Sequence, residues 1–175
     1  GIPSNVNNLQ SSNATTLSVN IPENNLTVSL RFLTYNIGGL FAKLENADLV
    51  NYLKSFDVIC LTETYTEAEF ETDLFIDFNI YVAKAKKLSH QGRFSGGVVV
   101  LVRKTLSPFV EHIKVDTDNI VALKLRKDLF QVQKDVVYLA VYMPPHDSNF
   151  WNTSRNGFGM ALIDKCIMDF HDVIN

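Results

Sequence analysis

Apolar and polar residues begin to alternate at Val28. Val28, Leu30 and Phe32 stand against Ser29 and Arg31, and the run reaches Tyr35, which predicts a strand. Gly38-Gly39 ends it. Leu44, Ala47, Val50 and Leu53 then recur at helical spacing and predict an amphipathic helix over about Lys43–Lys54. Val58-Ile59-Cys60-Leu61 is apolar throughout, as suits a strand buried on both faces. A right-handed crossover makes the two strands parallel neighbours. Further β-rich runs cover about Asn79–Ala83, Gly97–Arg103, Phe109–Val115, Ile120–Arg126 and Val136–Tyr142. The most apolar of them, Val98–Val102, is expected in the middle of a sheet. Ile120, Ala122, Lys124 and Arg126 alternate with Val121, Leu123 and Leu125, the pattern of a strand with one wet face. Pro144-Pro145 marks a loop. A last helix fits Met160–Ile174. The order predicts a mixed α/β protein whose sheet is largely antiparallel after the first unit.

Ahead of this pattern, residues 1–27 hold seven Asn, four Ser and three Thr, with Glu23 the one charge. This stretch reads as an irregular or disordered leader, and residues 28–175 as the domain. With 175 residues, 46% of them hydrophobic, one globular core is expected. Cys60 and Cys166 have no metal-type spacing and suit the core. No apolar run approaches a membrane span, and no secretory leader is visible, so an intracellular place, nuclear or cytoplasmic, is expected. Oligomeric state is left open.

Charge sharpens the picture. The net charge of −3 argues against a dedicated polyanion binder. Its distribution does not: nine acidic residues fall between Lys43 and Asp77, while Phe78–Val110 has no acid and carries Lys84, Lys86, Lys87, Arg93, Arg103 and Lys104. Such segregation suits an anionic ligand beside a metal, and a solvated surface loop accounts for it equally well. Gly96-Gly97 lacks any nucleotide-loop context and reads as a turn allowing close backbone packing.

Three polar residues stand at the ends of apolar strands, where loops present functional groups: Asn36, Glu63 and Tyr142. If the first two strands are parallel neighbours, Asn36 and Glu63 emerge at one sheet edge. An amide oxygen beside a carboxylate suits Mg²⁺. From residue type and position alone, strand-end turn chemistry explains them as well.

Four segments in order carry a resemblance: Leu33-Thr-Tyr-Asn36-Ile-Gly-Gly-Leu40, Asp57-Val-Ile-Cys-Leu-Thr-Glu63-Thr64, Ser95-Gly-Gly-Val-Val-Val-Leu-Val102 and Val141-Tyr142-Met-Pro-Pro145. Together they resemble the endonuclease/exonuclease/phosphatase superfamily, and within it the endonuclease domain of non-LTR (LINE-type) retrotransposons, over about Val28–Asn175. The resemblance implies a four-layer α/β sandwich of two packed mixed sheets flanked by helices. It also implies Mg²⁺-dependent phosphodiester hydrolysis, with Mn²⁺ as substitute and DNA as substrate. On that reading Glu63 is a metal ligand, Asn36 holds the metal shell or the phosphate, and Tyr142 donates to a phosphate oxygen. Lys84, Lys86, Lys87 and Arg93 contact the phosphate backbone. The four histidines (His90, His112, His146, His171) suit surface or structural roles, and His146, beside the Tyr142 loop, is the one placed to reach substrate. Trp151 and Phe150 either stack on a base or anchor their loop.

Two departures qualify that expectation. Gly38 stands where some members carry an acidic or amide helper. The later Gly-Asp-x-Asn and Ser-Asp-His-like elements, which would supply the base and the catalytic His, do not occur in this sequence. The fold is therefore expected to be incomplete at its carboxy-terminal end, and the chain alone to nick DNA weakly or not at all. A phosphatase or phospholipid phosphodiesterase of the same fold, and a non-catalytic interaction module, are the alternatives.

Overall fold

The computed structural model describes residues 12–21, 26–67, 72–87, 94–115 and 119–143. The elements are β1 (Ser12–Ile21), β2 (Leu26–Asn36), α1 (Leu40–Leu44), α2 (Ala47–Lys54), β3 (Val58–Thr62), β4 (Phe78–Ala83), β5 (Lys86–Lys87), β6 (Phe94–Ser95), β7 (Val98–Arg103), β8 (Val110–Ile113), β9 (Ile120–Leu125), α3 (Lys127–Phe130) and β10 (Val136–Val141). A five-stranded sheet runs β1-β2-β3-β7-β4, a three-stranded sheet runs β10-β9-β8, and β5 and β6 form a short ribbon. β2 and β3 are parallel, as a helical crossover requires, and the other pairs are antiparallel.

The period-2 geometry of strands divides the core in two. Leu33, Tyr35, Ile59, Leu61, Val99 and Leu101 face the helical layer, where Leu40, Val50 and Leu53 meet them. Their neighbours in sequence, Val58, Cys60, Val98, Val100 and Val102, face the second sheet and pack against Val121, Leu123, Leu125 and Ala140. β3 and β7 are thus buried on both faces, and that is why both read as unbroken apolar runs. Among the described residues these make three layers: helix, sheet, sheet. Burial pushes the Cys60 thiol up to about 11, so it is an inert core residue. No helix among the described residues is long and apolar enough to cross a membrane.

Several expectations are corrected. Within the polar leader, Ser12–Ile21 is a strand, paired antiparallel with β2 from Ser12↔Tyr35 to Ile21↔Leu26. Backbone hydrogen bonds to the open edge of β2 order it, and they need no apolar side chains: residues 13–17 are exposed. The single helix over Lys43–Lys54 is two helices. The Asn46 carboxamide accepts hydrogen bonds from the backbone N–H of Asp48 (3.0 Å) and Leu49 (3.1 Å), and this cap starts α2 afresh. β9 has no wet face of the expected kind. Ile120 and Ala122 are buried, and small Ala122 lies between its cross-strand partners Ile113 and Leu139. Val98–Val102 is interior, as expected, lying between β3 and β4. Pro144-Pro145, Met160–Ile174 and Cys166 lie outside the described residues.

At the edge where β3 begins, Asp57 ties three strands. Its carboxylate accepts from the Arg31 backbone N–H (2.8 Å) and from Arg103 Nε (3.1 Å). Arg103 also donates to the carbonyls of Lys54 and Phe56 and lies over the Phe78 ring. The opposite edge lies where β3 ends, at Thr62.

Candidate functional site

Register alone assembles that edge. Asn36 stands opposite Thr62, Thr62 opposite Val98, and Val98 opposite Ala83, so one transverse row joins the ends of β2, β3 and β4 to the start of β7. Asn36 and Thr62 continue the face that looks toward the second sheet, and both are half-buried.

After Thr62 the chain leaves β geometry. Glu63 and Tyr65 both have positive φ, 53° and 55°, conformations that side chains with a Cβ adopt at a cost of roughly 1–2 kcal/mol each. Neighbouring loops hold them there. On one side the N–H groups of Gly39 and Leu40 donate to the carbonyls of Glu63 (2.8 Å) and Thr64 (3.0 Å). On the other, the N–H groups of Thr64 and Tyr65 donate to the carbonyls of Gly97 (3.3 Å) and Gly96 (3.1 Å). Thr64 and Thr66 turn inward and are buried, while Glu63 and Tyr65 turn outward. The Tyr65 hydroxyl donates to Glu63 Oε2 at 3.1 Å.

Tyr142 arrives from the other sheet, just past β10. Its backbone N–H donates to the Asn119 carbonyl (2.9 Å), and its phenol lies close enough to the Glu63 carboxylate and to Ser95 for both to act on its titration. The approach depends on Gly96: a Cβ there would stand 2.9 Å from both Cδ1 and Cε1 of the Tyr142 ring. Burial, reinforced by the Glu63 charge, raises the Tyr142 phenol above its ordinary value. The same two causes, burial first, raise Tyr65. Both phenols therefore keep their protons at neutral pH and act as donors.

Of the residues singled out in the sequence, Glu63 and Tyr142 are brought close together from separate sheets, and Asn36 lies one register step from Glu63. Lys84, Lys86 and Lys87 are exposed on the β5–β6 side of the same edge, where the Ala85 N–H donates to the Thr66 carbonyl at 2.7 Å. Lys87 Nζ sits 4.7 Å from the Phe94 ring centroid. Arg93, His146, Phe150 and Trp151 lie outside the described residues. A cavity of about 800 Å³ opens elsewhere, along the outer edge of β4, with Ile80, Tyr81, Lys104 and His112 in its lining and none of the expected site residues.

Sequence reasoning missed Tyr65. Its signal was the alternation Glu63-Thr64-Tyr65-Thr66 directly after an apolar strand, which puts two polar-tipped side chains on one side only because both adopt positive φ. It also missed Ser95 and Asn119, which touch Tyr142 through tertiary contacts far apart in sequence.

Among known families, the model described as Endonuclease/Exonuclease/phosphatase family matches residues 33–155, well over half of the chain. No curated protein matches it.

Proposed function

Because the chain belongs to the endonuclease/exonuclease/phosphatase family, a family of phosphodiester hydrolases in general, we propose that its Glu63 edge is the site of a Mg²⁺-dependent DNA endonuclease of the retrotransposon type. The observation that carries this reading is the meeting of a carboxylate and a phenol from two different sheets, Glu63 and Tyr142, beside a ribbon that bears exposed Lys86 and Lys87 and is preceded by exposed Lys84.

The donor set suits a hard cation. Glu63 and the Asn36 amide oxygen would hold Mg²⁺ or Mn²⁺, with water and substrate phosphate completing the shell, the usual arrangement for Mg²⁺. Among the described residues no group of three His, Cys, Asp or Glu could hold a metal by itself, so the phosphate's share matters. When bound, such an ion stabilises the negative charge that develops on the phosphate and leaving oxygens.

The remaining work falls to the chain's own groups. Tyr142 keeps its proton, and its phenol turns from Glu63 to a non-bridging phosphate oxygen when a phosphodiester is seated. Gly96 leaves the space in which that ring sits. Lys84, Lys86 and Lys87 neutralise neighbouring phosphates without reading sequence. The four motifs resemble LINE-type endonucleases, which favours DNA over phosphorylated inositols and phospholipids.

The test is Mn²⁺ binding by electron paramagnetic resonance, with and without a short DNA duplex. Binding is expected to strengthen with duplex and to be lost in Glu63→Gln. Tyr142→Phe is expected to weaken duplex affinity by roughly tenfold, the loss of one hydrogen bond to a charged group. Displacement of Mn²⁺-dependent binding by an inositol phosphate or sphingomyelin vesicles, but not by DNA, would shift the assignment to a phosphatase or phospholipid phosphodiesterase. No cation binding and no salt-dependent DNA binding would leave an interaction module.

A further inference from the structure

The contact between Tyr65 and Glu63 is more than an exposed ring resting on a neighbour. Two residues in succession of type i, i+2, both with positive φ, cost backbone strain, and Tyr65 gains little burial in return, since 42% of it remains exposed. What the conformation achieves is local. The Tyr65 ring lies against Gly39, 3.5 Å from where a Cβ would be, and its hydroxyl is delivered to Oε2 of Glu63 at 3.1 Å. The backbone bonds from Gly39, Gly96 and Gly97 keep both residues in that geometry, so the phenol and carboxylate are preset rather than swinging freely.

An oxygen that accepts a phenol hydrogen bond is a poorer partner for a metal than its free twin. Carboxylates restrained to one oxygen suit the octahedral shell of Mg²⁺ and Mn²⁺, whereas Ca²⁺ takes six to eight oxygens and readily uses a carboxylate through both. We propose that Tyr65 is a positioning residue that occupies Oε2 of Glu63, limits the carboxylate to one oxygen for a cation, and thereby makes the site select Mg²⁺ and Mn²⁺ over Ca²⁺. This rests on Glu63 being a cation ligand, the reading given above. Neighbours that orient a ligand commonly change metal affinity by about 10- to 100-fold when removed.

The experiment compares the full chain with Tyr65→Phe, which keeps the ring on Gly39 and deletes only the donor, and with Glu63→Gln. Mn²⁺ binding is measured by electron paramagnetic resonance, and Mg²⁺ and Ca²⁺ are titrated in competition, without any activity assay. Tyr65→Phe is expected to raise the ratio of Ca²⁺ to Mg²⁺ affinity by roughly tenfold, with the thermal midpoint of the metal-free protein unchanged. A merely structural tyrosine would weaken both ions alike. Cation binding that is lost in Glu63→Gln while Tyr65→Phe leaves the ratio unaltered overturns this inference alone. Absence of any Glu63-dependent cation binding overturns the inference together with the metal reading beneath it.

Discussion

The Tyr142 ring occupies the space that a side chain on Gly96 would need: two ring carbons lie 2.9 Å from the Cβ position, and Gly96 itself has φ +76°. The chain leaving β10 can therefore bring Tyr142 to Glu63 only across a glycine. Gly96→Ala is expected to push the ring away from Glu63 and reduce duplex DNA affinity at least as much as Tyr142→Phe does. Gly38→Ala separates strain from clash, because Gly38 also has positive φ (+57°) but nothing within 4 Å of its Cβ position. It should cost only the strain, roughly 1–2 kcal/mol by chemical denaturation. Equal DNA affinity in Gly96→Ala and the parent protein would refute the arrangement.

Gly97 and Thr64 form a tighter pair. A Cβ at Gly97 would stand 2.5 Å from Thr64 Oγ1 and 3.3 Å from the Ala85 backbone nitrogen, which cannot move aside cheaply. Gly97→Ala is expected to destabilise the fold by about 3 kcal/mol, combining strain with overpacking. The Thr64 hydroxyl is buried and has no hydrogen-bond partner among the described residues. Thr64→Val should therefore stabilise the protein by roughly 1 kcal/mol, since it removes an unsatisfied polar group at constant shape. Urea unfolding of both variants checks the signs, and a destabilised Thr64→Val would show that the hydroxyl is bonded after all.

Asp57 clamps β2, β3 and β7 through partly buried, charge-assisted hydrogen bonds to Arg31 N–H and Arg103 Nε. Removing it leaves the Arg103 guanidinium without its anion. Asp57→Ala is expected to cost about 2–3 kcal/mol, read as a lowered urea midpoint. Because the clamp is at the far edge of the sheet, Mn²⁺ affinity measured below the unfolding transition should stay unchanged.

Acid should weaken the fold partly through Asp135. The Lys127 backbone N–H, 2.8 Å away, and the Lys124 ammonium hold its carboxyl below the ordinary 3.8. A carboxyl depressed in the folded state lends stability that is fully present above about 3.8 and lost as pH falls through its folded value. Asp135→Asn retains an oxygen for Lys127 but no titration, so its stability should fall less steeply over that acid range. Parallel acid limbs for parent and variant would argue that the folded carboxyl is not shifted.

If the ribbon lysines meet DNA phosphates, salt should report it. Replacing Lys84, Lys86 and Lys87 by Gln is expected to flatten the plot of log affinity against log salt by about 0.9 for each phosphate contact removed. An unchanged slope would make the ribbon a solvated surface feature.

Much of this was legible in the chain because burial on two faces leaves a one-dimensional trace. β3 and β7 read as strands since Val58–Leu61 and Val98–Val102 are apolar throughout, and the parallel β2–β3 pair followed from the helical segment between them. Glu63, Asn36 and Tyr142 were legible as polar residues ending apolar strands. Other features left no such trace. β1 is held by backbone pairing to an open edge, which residues rich in Asn and Ser permit but do not announce. The break between α1 and α2 hangs on one carboxamide at Asn46. Ala122 looked half-wet because a small residue carries little pattern, yet its larger cross-strand partners cover it.

By itself, then, the order of residues determined most of the long strands, the two-sided burial of the main sheet and the candidate carboxylate, because these depend on local periodicity and on what ends a strand. Only the tertiary structure decided that Tyr142 crosses Gly96 to reach Glu63, that Tyr65 takes one of its oxygens, and that the Thr64 hydroxyl is buried with no hydrogen-bond partner among the described residues. Those relations join residues through positive φ, register and the absence of a Cβ, and such geometry exists only once two sheets have packed.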